Sequence, residues 1–220
     1  MYLPAHFAES RPEVLGAFVA AHPLGLLVTQ NRAGGIEANS VPFFLDPSGD
    51  ASPGVLRAHV ARANPVWREA RGDVESLVVF QGAQGYVSPA WYPSKAEHGK
   101  VVPTWNYVIV QGRGTVRFIE DAEWLRAFVA RLTDRHEGER AARDGGAAWA
   151  VTDAPADYVE TMLRAIVGVE IVLSSLVGKW KVSQNRPQAD RDGVARGLDG
   201  VPGSVAAEMA RDVRGPGAAA

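Results

Sequence analysis

The stretch from Leu24 to Asp46 constrains the fold more than any other part of the chain. LGLLVTQN, a Gly34-Gly35 turn and IEANSVPFFLD read as two strands joined by a short hairpin loop. So short a connection joins antiparallel neighbours, because parallel strands need a long crossover. Further strands are expected at VLRAHVA, at SLVVFQG and at VGVEIVLSSLVGKWKVS. VVPTWNYVIVQGRGTVRFI is long for one strand, and reads as a single strand or a pair with a bend or bulge near Gly112 to Gly114.

Helices are added to this sheet. Ser10 and Glu13 have the spacing of a capping box, followed by Val14, Leu15, Phe18 and Val19 on one face and a stop near His22-Pro23. Asn64-Pro65 opens a short helix containing Trp67. From Asp121, the residues Leu125, Phe128, Val129 and Leu132 repeat at helical spacing, and the pattern fades into a charged loop, RHEGERAARDGG. After Pro155 a further helix is expected, with Tyr158, Met162, Leu163 and Ile166 as its buried stripe and Gly168 as its stop. DPSGDASPG reads as a polar loop and GYVSPAWYPSKAEHGK as a turn-rich stretch with three aromatics among prolines.

The fold class is therefore mainly β with added helices (α+β). Residues 1–188 form one domain in this reading, and 189–220 form a C-terminal helical extension. Within that extension a short helix is expected around Ser204 to Asp212, whose weak apolar face suits docking better than core, before the low-complexity end PGAAA.

Charge and composition exclude several roles. A formal charge of −2 supplies no global field to draw the chain to nucleic acid or an anionic membrane. With no cysteine there are no disulfides, thiolate nucleophiles or cysteine-based metal sites, which fits a reducing cytoplasm. The start, MYLPAHFAESRPE, lacks the basic and apolar regions of a signal peptide, and no apolar run reaches the ~20 residues that span a bilayer. A cytoplasmic protein with no membrane partner is expected. His6, His22, His59, His98 and His136 show no paired ligand spacing, so no metal site is expected. There is no GxSxG elbow, no phosphate-binding loop of the Walker type and no GxGxxG opening a helix. No catalytic residue can be assigned.

Four polar groupings are candidates for ligand contact. Asn39, Ser40, His59, Arg62 and Asn64 lie on adjacent expected elements and combine a cation with hydroxyl and amide donors, the mixture a phosphate monoester requires. They would equally cap or bridge strands, and spacing alone favours that reading. In QGYVSPAWYPSK, Lys95 would hold an anion while the aromatics wall a flat heterocycle, or the loop is simply pinned by proline onto the sheet. In VVPTWNY an extended strand offers alternate backbone groups, with Thr104 and Asn106 as side-chain donors and Trp105 on the opposite face, where a core tryptophan is the commoner outcome. GKWKVSQNR places Lys179 and Lys181 on one face, followed by Ser183, Gln184, Asn185 and Arg186, which suits an anionic ligand, a partner subunit or a solvated strand end.

Taken together, MYLPAHF, NSVPFFLD, LRAHVARANP, GYVSPAWYPSK, VVPTWNY and KWKVSQNR resemble the signature blocks of the PaiB family, described as FMN-binding negative transcriptional regulators. The blocks run in family order from Met1 to about Gly200. The resemblance implies an antiparallel FMN-binding split β-barrel that forms a homodimer and binds FMN at the dimer interface. It places Asn39, Ser40, His59, Arg62 and Asn64 near the ribityl phosphate, with Lys95 among the cofactor contacts. Tyr86, Val87 and Ser88, with Thr104, Trp105 and Asn106, would edge the ring, and Lys181, Ser183, Gln184, Asn185 and Arg186 would come from the closing strand. Haem or a deazaflavin is the alternative cofactor on a similar scaffold. DNA enters as a partner only through the family's regulatory role, since the two best helices are separated by a long loop rather than a helix-turn-helix turn. The competing function is a flavin-dependent oxidoreductase acting on a small molecule.

Overall fold

In a computed structural model, residues 1–47 and 53–215 are described. Most of the DPSGDASPG loop and the PGAAA end lie outside them. The strands are β1 (Ala8–Glu9), β2 (Leu24–Gln30), β3 (Ile36–Pro42), β4 (Phe44–Asp46), β5 (Val55–Ala61), β6 (Glu75–Val87), β7 (Thr104–Ile119) and β8 (Ile166–Lys181). The α-helices are α1 (Pro12–Ala21), α2 (Val66–Glu69), α3 (Ser94–His98), α4 (Ala122–Asp144), α5 (Ala156–Arg164), α6 (Gln188–Asp199) and α7 (Ser204–Arg214). The strands form one sheet in the order β3-β2-β6-β7-β8-β5-β4, with β1 added to β8. The chain divides into two compact units, to both of which the long strands β6, β7 and β8 contribute.

One unit comprises residues 19–79 and 112–176. Its hairpin pairs Leu24 with Pro42 through to Gln30 with Ile36. The turn is made by Asn31, whose Oδ1 accepts from the backbone N–H of Gly35 at 2.8 Å and of Ala33 at 3.1 Å, while Gly34 takes φ +88°. Antiparallel pairing of β5 with β8 sets His59 opposite Gly168. Alternation along these strands buries Leu27, Leu56, Ala58, Val78, Val169 and Ile171.

β7 is one continuous strand through Gly112 and Gly114, the first of the two readings of this segment, while other expectations in this unit are corrected. At Gly114 an added Cβ would sit 2.1 Å from the carbonyl oxygen of Val172, so glycine allows close strand approach rather than a break. α4 starts where the helical pattern does, capped by Asp121 Oδ1, which accepts from the Trp124 N–H at 2.7 Å, but it continues through the charged stretch to Asp144. Ion pairs of Arg135 with Glu139 and of Arg140 with Glu137 carry the helix where the apolar pattern has ended. On α5 the buried residues are Val159 and Leu163, packed with Leu125, whereas Tyr158 and Met162 are exposed. Gly168 does not end that helix. It lies inside β8, where an added Cβ would meet the Trp124 ring at 2.4 Å.

The other unit comprises residues 1–18, 80–111 and 177–220. β1 pairs with the end of β8, Ala8 opposite Lys179. Ahead of α1 the Glu9 carboxylate accepts from the backbone N–H groups of Ser10 at 3.0 Å and Arg11 at 2.9 Å, in place of the capping box expected of Ser10 and Glu13. The C-terminal helices are core elements rather than a docked tail. Leu198 of α6 and Met209, Ala210 and Val213 of α7 are at most 1% exposed and pack with Val87, Tyr92 and Val108. Gly193 and Gly197 let α6 close on Trp91, since a Cβ at Gly193 would lie 2.0 Å from its carbonyl oxygen and one at Gly197 2.1 Å from its ring.

Candidate functional site

The residues singled out from the sequence fall into two groups, one in each unit. In the unit containing residues 19–79, Asn64 Nδ2 donates to Asn39 Oδ1 at 2.8 Å, joining β3 to the residue that opens α2. Ser40 is exposed on β3. Arg62 is held in place: its guanidinium donates to the carbonyls of Arg164 (2.8 Å) and Ile166 (3.2 Å) and pairs with Glu120 at 2.5 Å. His59 lies edge-on to Phe128, with ring centroids 6.2 Å apart, and its Nδ1 is buried without a partner. Burial lowers the His59 pKa, which keeps the imidazole neutral at pH 7.

The second group gathers where β7 begins and β8 ends. Lys181 Nζ donates to Thr104 Oγ1 at 2.6 Å and to the Trp105 carbonyl. Asn106 Nδ2 donates to Ser183 Oγ at 2.9 Å, and both residues are buried. Gln184 folds back on its own turn, accepting from the Val182 N–H at 2.8 Å and donating to the Trp180 carbonyl. Ser183 takes φ +64°, which lets the chain turn immediately after the strand. Arg186 stacks over the buried Tyr92 ring at 5.1 Å, while Asn185 is exposed.

This second group is a cluster of cations. Lys179 Nζ donates to the Tyr2 carbonyl at 3.1 Å and lies 5.2 Å from the Tyr107 ring centroid, with Lys181 at 6.0 Å from the same ring. Among the described residues no carboxylate forms an ion pair with Lys179, Lys181 or Arg186. Burial, and then the charges of Lys179 and Arg186, lower the Lys181 pKa. An anion placed here would relieve that repulsion and supply acceptors to donors now satisfied by neutral oxygens.

Beside the cluster stands an aromatic pair. Trp105 and Tyr86 are each 49% exposed, with ring centroids 6.1 Å apart, and Trp105 Nε1 donates to Gln84 Oε1 at 2.9 Å. Trp105 is thus half-exposed on the face opposite the buried Asn106, rather than the core tryptophan expected of a strand residue. Next to it Gln81, Gln84 and Tyr107 border a recess of about 240 Å³. Val87 is fully buried, Ser88 caps the short 3-10 turn Pro89–Trp91, and Lys95 is exposed on α3. Tyr107 is a site residue that the sequence did not single out. It lies within VVPTWNY, yet its cross-strand contact with Lys179, already a candidate, has no local signal.

A family model described as "Putative FMN-binding domain" matches residues 1–175. The chain belongs to that PaiB-like family. Protease synthase and sporulation protein PAI 2 of Bacillus subtilis is 30% identical over 210 residues, covering 96% of this chain and 95% of that protein. An uncharacterized protein of Emericella nidulans is 35% identical over 227 residues, covering 90% of each. Among solved structures, the flavocytochrome Anf3 of Azotobacter vinelandii superposes with a TM-score of 0.55 at 16% identity, over 79% of this chain and 69% of that one. The fold is accordingly that of the FMN-binding split-barrel flavoproteins, built on the antiparallel sheet described above. No described helix is long and apolar enough to cross a membrane.

Proposed function

We propose that this family member binds FMN as a homodimer and acts as a flavin-linked negative regulator of transcription. The observation that carries the cofactor assignment is the uncompensated cation cluster at the end of β8. A phosphate monoester is near-dianionic at neutral pH and takes up charge-assisted hydrogen bonds of the kind Lys181, Lys179 and Arg186 can donate. Thr104, Asn106, Ser183 and Gln184 supply the neutral donors around them, and Tyr86 and Trp105 supply flat apolar surface for a heterocycle. Asn39, Ser40, His59, Arg62, Asn64, Val87, Ser88, Lys95 and Asn185 belong to the proposed cofactor contacts through the family resemblance. FMN, when bound, supplies one- and two-electron transfer. The half-exposed Trp105 and Tyr86 suit burial in a subunit interface, where aromatic residues are enriched.

The regulatory half of the reading rests on the Bacillus subtilis relative, whose name links it to protease synthesis and sporulation. A second reading, a flavin-dependent oxidoreductase, is favoured by the recess beside Trp105, which has room for a small molecule. Haem is a competing cofactor, whose propionate carboxylates the cation cluster would also accept.

Purified protein titrated with FMN and followed by flavin fluorescence and visible absorbance tests the cofactor. Saturable binding, with a dimer by light scattering, is expected; no binding overturns the reading, and a haem spectrum replaces it. Sequence-specific binding to promoter DNA that persists at physiological salt supports regulation, whereas nonspecific binding weakens steeply with salt. Substrate-dependent bleaching of the flavin in its place would establish the oxidoreductase.

A further inference from the structure

A second cavity, of about 540 Å³, lies in the same unit as the cation cluster, lined by the start of the chain, the end of β8 and the C-terminal helices. Its apolar wall includes Val14, Trp180 and Val182. Its charged groups do not cancel. Glu9 is taken by Arg11, whose Nε and Nη2 donate to it at 3.0 and 2.5 Å. Arg191 donates to two neutral oxygens, the Val213 carbonyl at 2.9 Å and Gln188 Oε1 at 3.3 Å, and its Nε is buried with no partner. Among the described residues the exposed Arg211 guanidinium has no hydrogen bond or ion pair.

Asp212, which also lines the cavity, offsets only one of these arginines, which leaves Arg11, Arg191 and Arg211 against Glu9 and Asp212. Burial, and then the charge of Glu208, push its carboxyl up to about 6 against the opposing pull of Arg211. The cavity therefore combines a cation with an unused buried donor, a second unpaired cation and an aromatic-aliphatic wall. Pockets of this size with a few convergent polar groups on an apolar lining are the usual form of small-molecule sites.

We propose that this cavity is a second small-molecule site, separate from the flavin cluster, for an organic anion with an apolar body such as an aryl carboxylate. Arg191 and Arg211 hold the anionic head, and Trp180, Val14 and Val182 receive the body. The site shares one stretch of backbone with the proposed flavin contacts. Trp180, Val182 and Gln184 line the cavity, while the intervening Lys181 and Ser183 bond to Thr104 and Asn106. An occupant that shifts this stretch changes the cation cluster, which gives a regulator a metabolite input besides its flavin. The inference rests on the cavity and does not require the flavin reading to hold.

Isothermal titration of the purified chain with benzoate, phenyl phosphate and inorganic phosphate, with and without saturating FMN, tests it. At least one aryl anion is expected to bind more tightly than about 1 mM and more tightly than inorganic phosphate. Arg211→Glu, at an exposed position, should weaken that binding at least about tenfold without altering the thermal midpoint, and Val14→Trp should block it by filling the cavity. The proposal is overturned if neither aryl anion binds, if inorganic phosphate binds as tightly, or if Arg211→Glu leaves the affinity unchanged. Displacement of the aryl anion by FMN also overturns it, since the cavity would then be the flavin site. Failure to bind FMN while benzoate still binds would sink only the flavin reading.

Discussion

Asn106 and Ser183 are joined by a 2.9 Å hydrogen bond between buried side chains, from the start of β7 to the turn that follows β8. That bond holds Ser183 in its left-handed conformation at φ +64° and so sets the path of Gln184, Asn185 and Arg186. Replacing Asn106 with Leu strands the Ser183 hydroxyl in an apolar setting, which costs about 1–3 kcal/mol. Urea unfolding of Asn106→Leu should show that loss. Ser183→Gly should be milder, because the lost hydrogen bond is partly offset by relief of the positive φ. If Ser183→Gly is the more damaging, the bond is not what positions the turn.

Lys181 should link flavin affinity to alkaline stability. Its folded pKa is lowered, chiefly by burial and then by Lys179 and Arg186, so the unfolded chain holds this proton more tightly than the folded one. Stability of the ligand-free protein should therefore rise with pH as the group loses its proton below the ordinary lysine range. Lys181→Met should abolish that rise and weaken FMN binding at least about tenfold. Flavin fluorescence titration and urea melts at several pH values check both limbs; an unchanged FMN affinity removes Lys181 from the site.

Glu170 is expected to anchor the other unit. It is 3% exposed and accepts from Arg57 at 2.8 Å and from Arg117. Burial alone would raise its pKa, yet the two arginines outweigh burial and hold it below the ordinary carboxylate value. The sign follows from linkage: this stability is present above the unfolded carboxyl pKa and is lost as pH falls through the folded one. Glu170→Ala leaves Arg57 and Arg117 without their shared buried acceptor, but Arg57 keeps Asp46 and Arg117 is largely exposed, so the cost at pH 7 should be about 1–3 kcal/mol. The difference between wild type and variant should shrink in urea melts below about pH 4.

His59 should behave in the opposite manner to a ligand that needs charge. Burial lowers its pKa and its Nδ1 has no partner, so the neutral form is the one that fits beside Phe128. Stability is complete above the unfolded histidine pKa and falls as pH drops toward the folded one. His59→Leu should remove this part of the acid dependence with little loss at pH 7. A large loss of FMN affinity in the same variant would give His59 a direct contact despite its burial.

Gly168 should tolerate no side chain. Val at this position would meet the Trp124 ring, with a Cβ already at 2.4 Å, and should destabilise the protein by about 1–3 kcal/mol, the range for an overpacked core. Trp124→Ala should recover part of that loss in the double variant. Thermal or urea unfolding of the two single variants and the double variant provides the cycle.

Local periodicity and turn chemistry determined the antiparallel hairpin, the strand at β5 and the start of α4 near Asp121. Each of these signals lies within a few residues of chain and needs no distant partner. Where side chains end up against remote elements was decided only by the tertiary structure. Gly168 looked like a helix stop because a glycine follows an apolar stripe, whereas it lies in β8 opposite His59, with Trp124 filling the space a side chain would need. The C-terminal residues looked like a weakly amphipathic tail, but small residues at Gly193, Gly197, Ala206 and Ala210 allow close packing, which hydrophobic periodicity does not register. The candidate site divides the same way. Lys181, Asn106 and Ser183 were visible as polar residues in motifs, but the missing carboxylate around Lys179, Lys181 and Arg186 is a property of three-dimensional neighbours, because charge balance depends on distance in space and not along the chain.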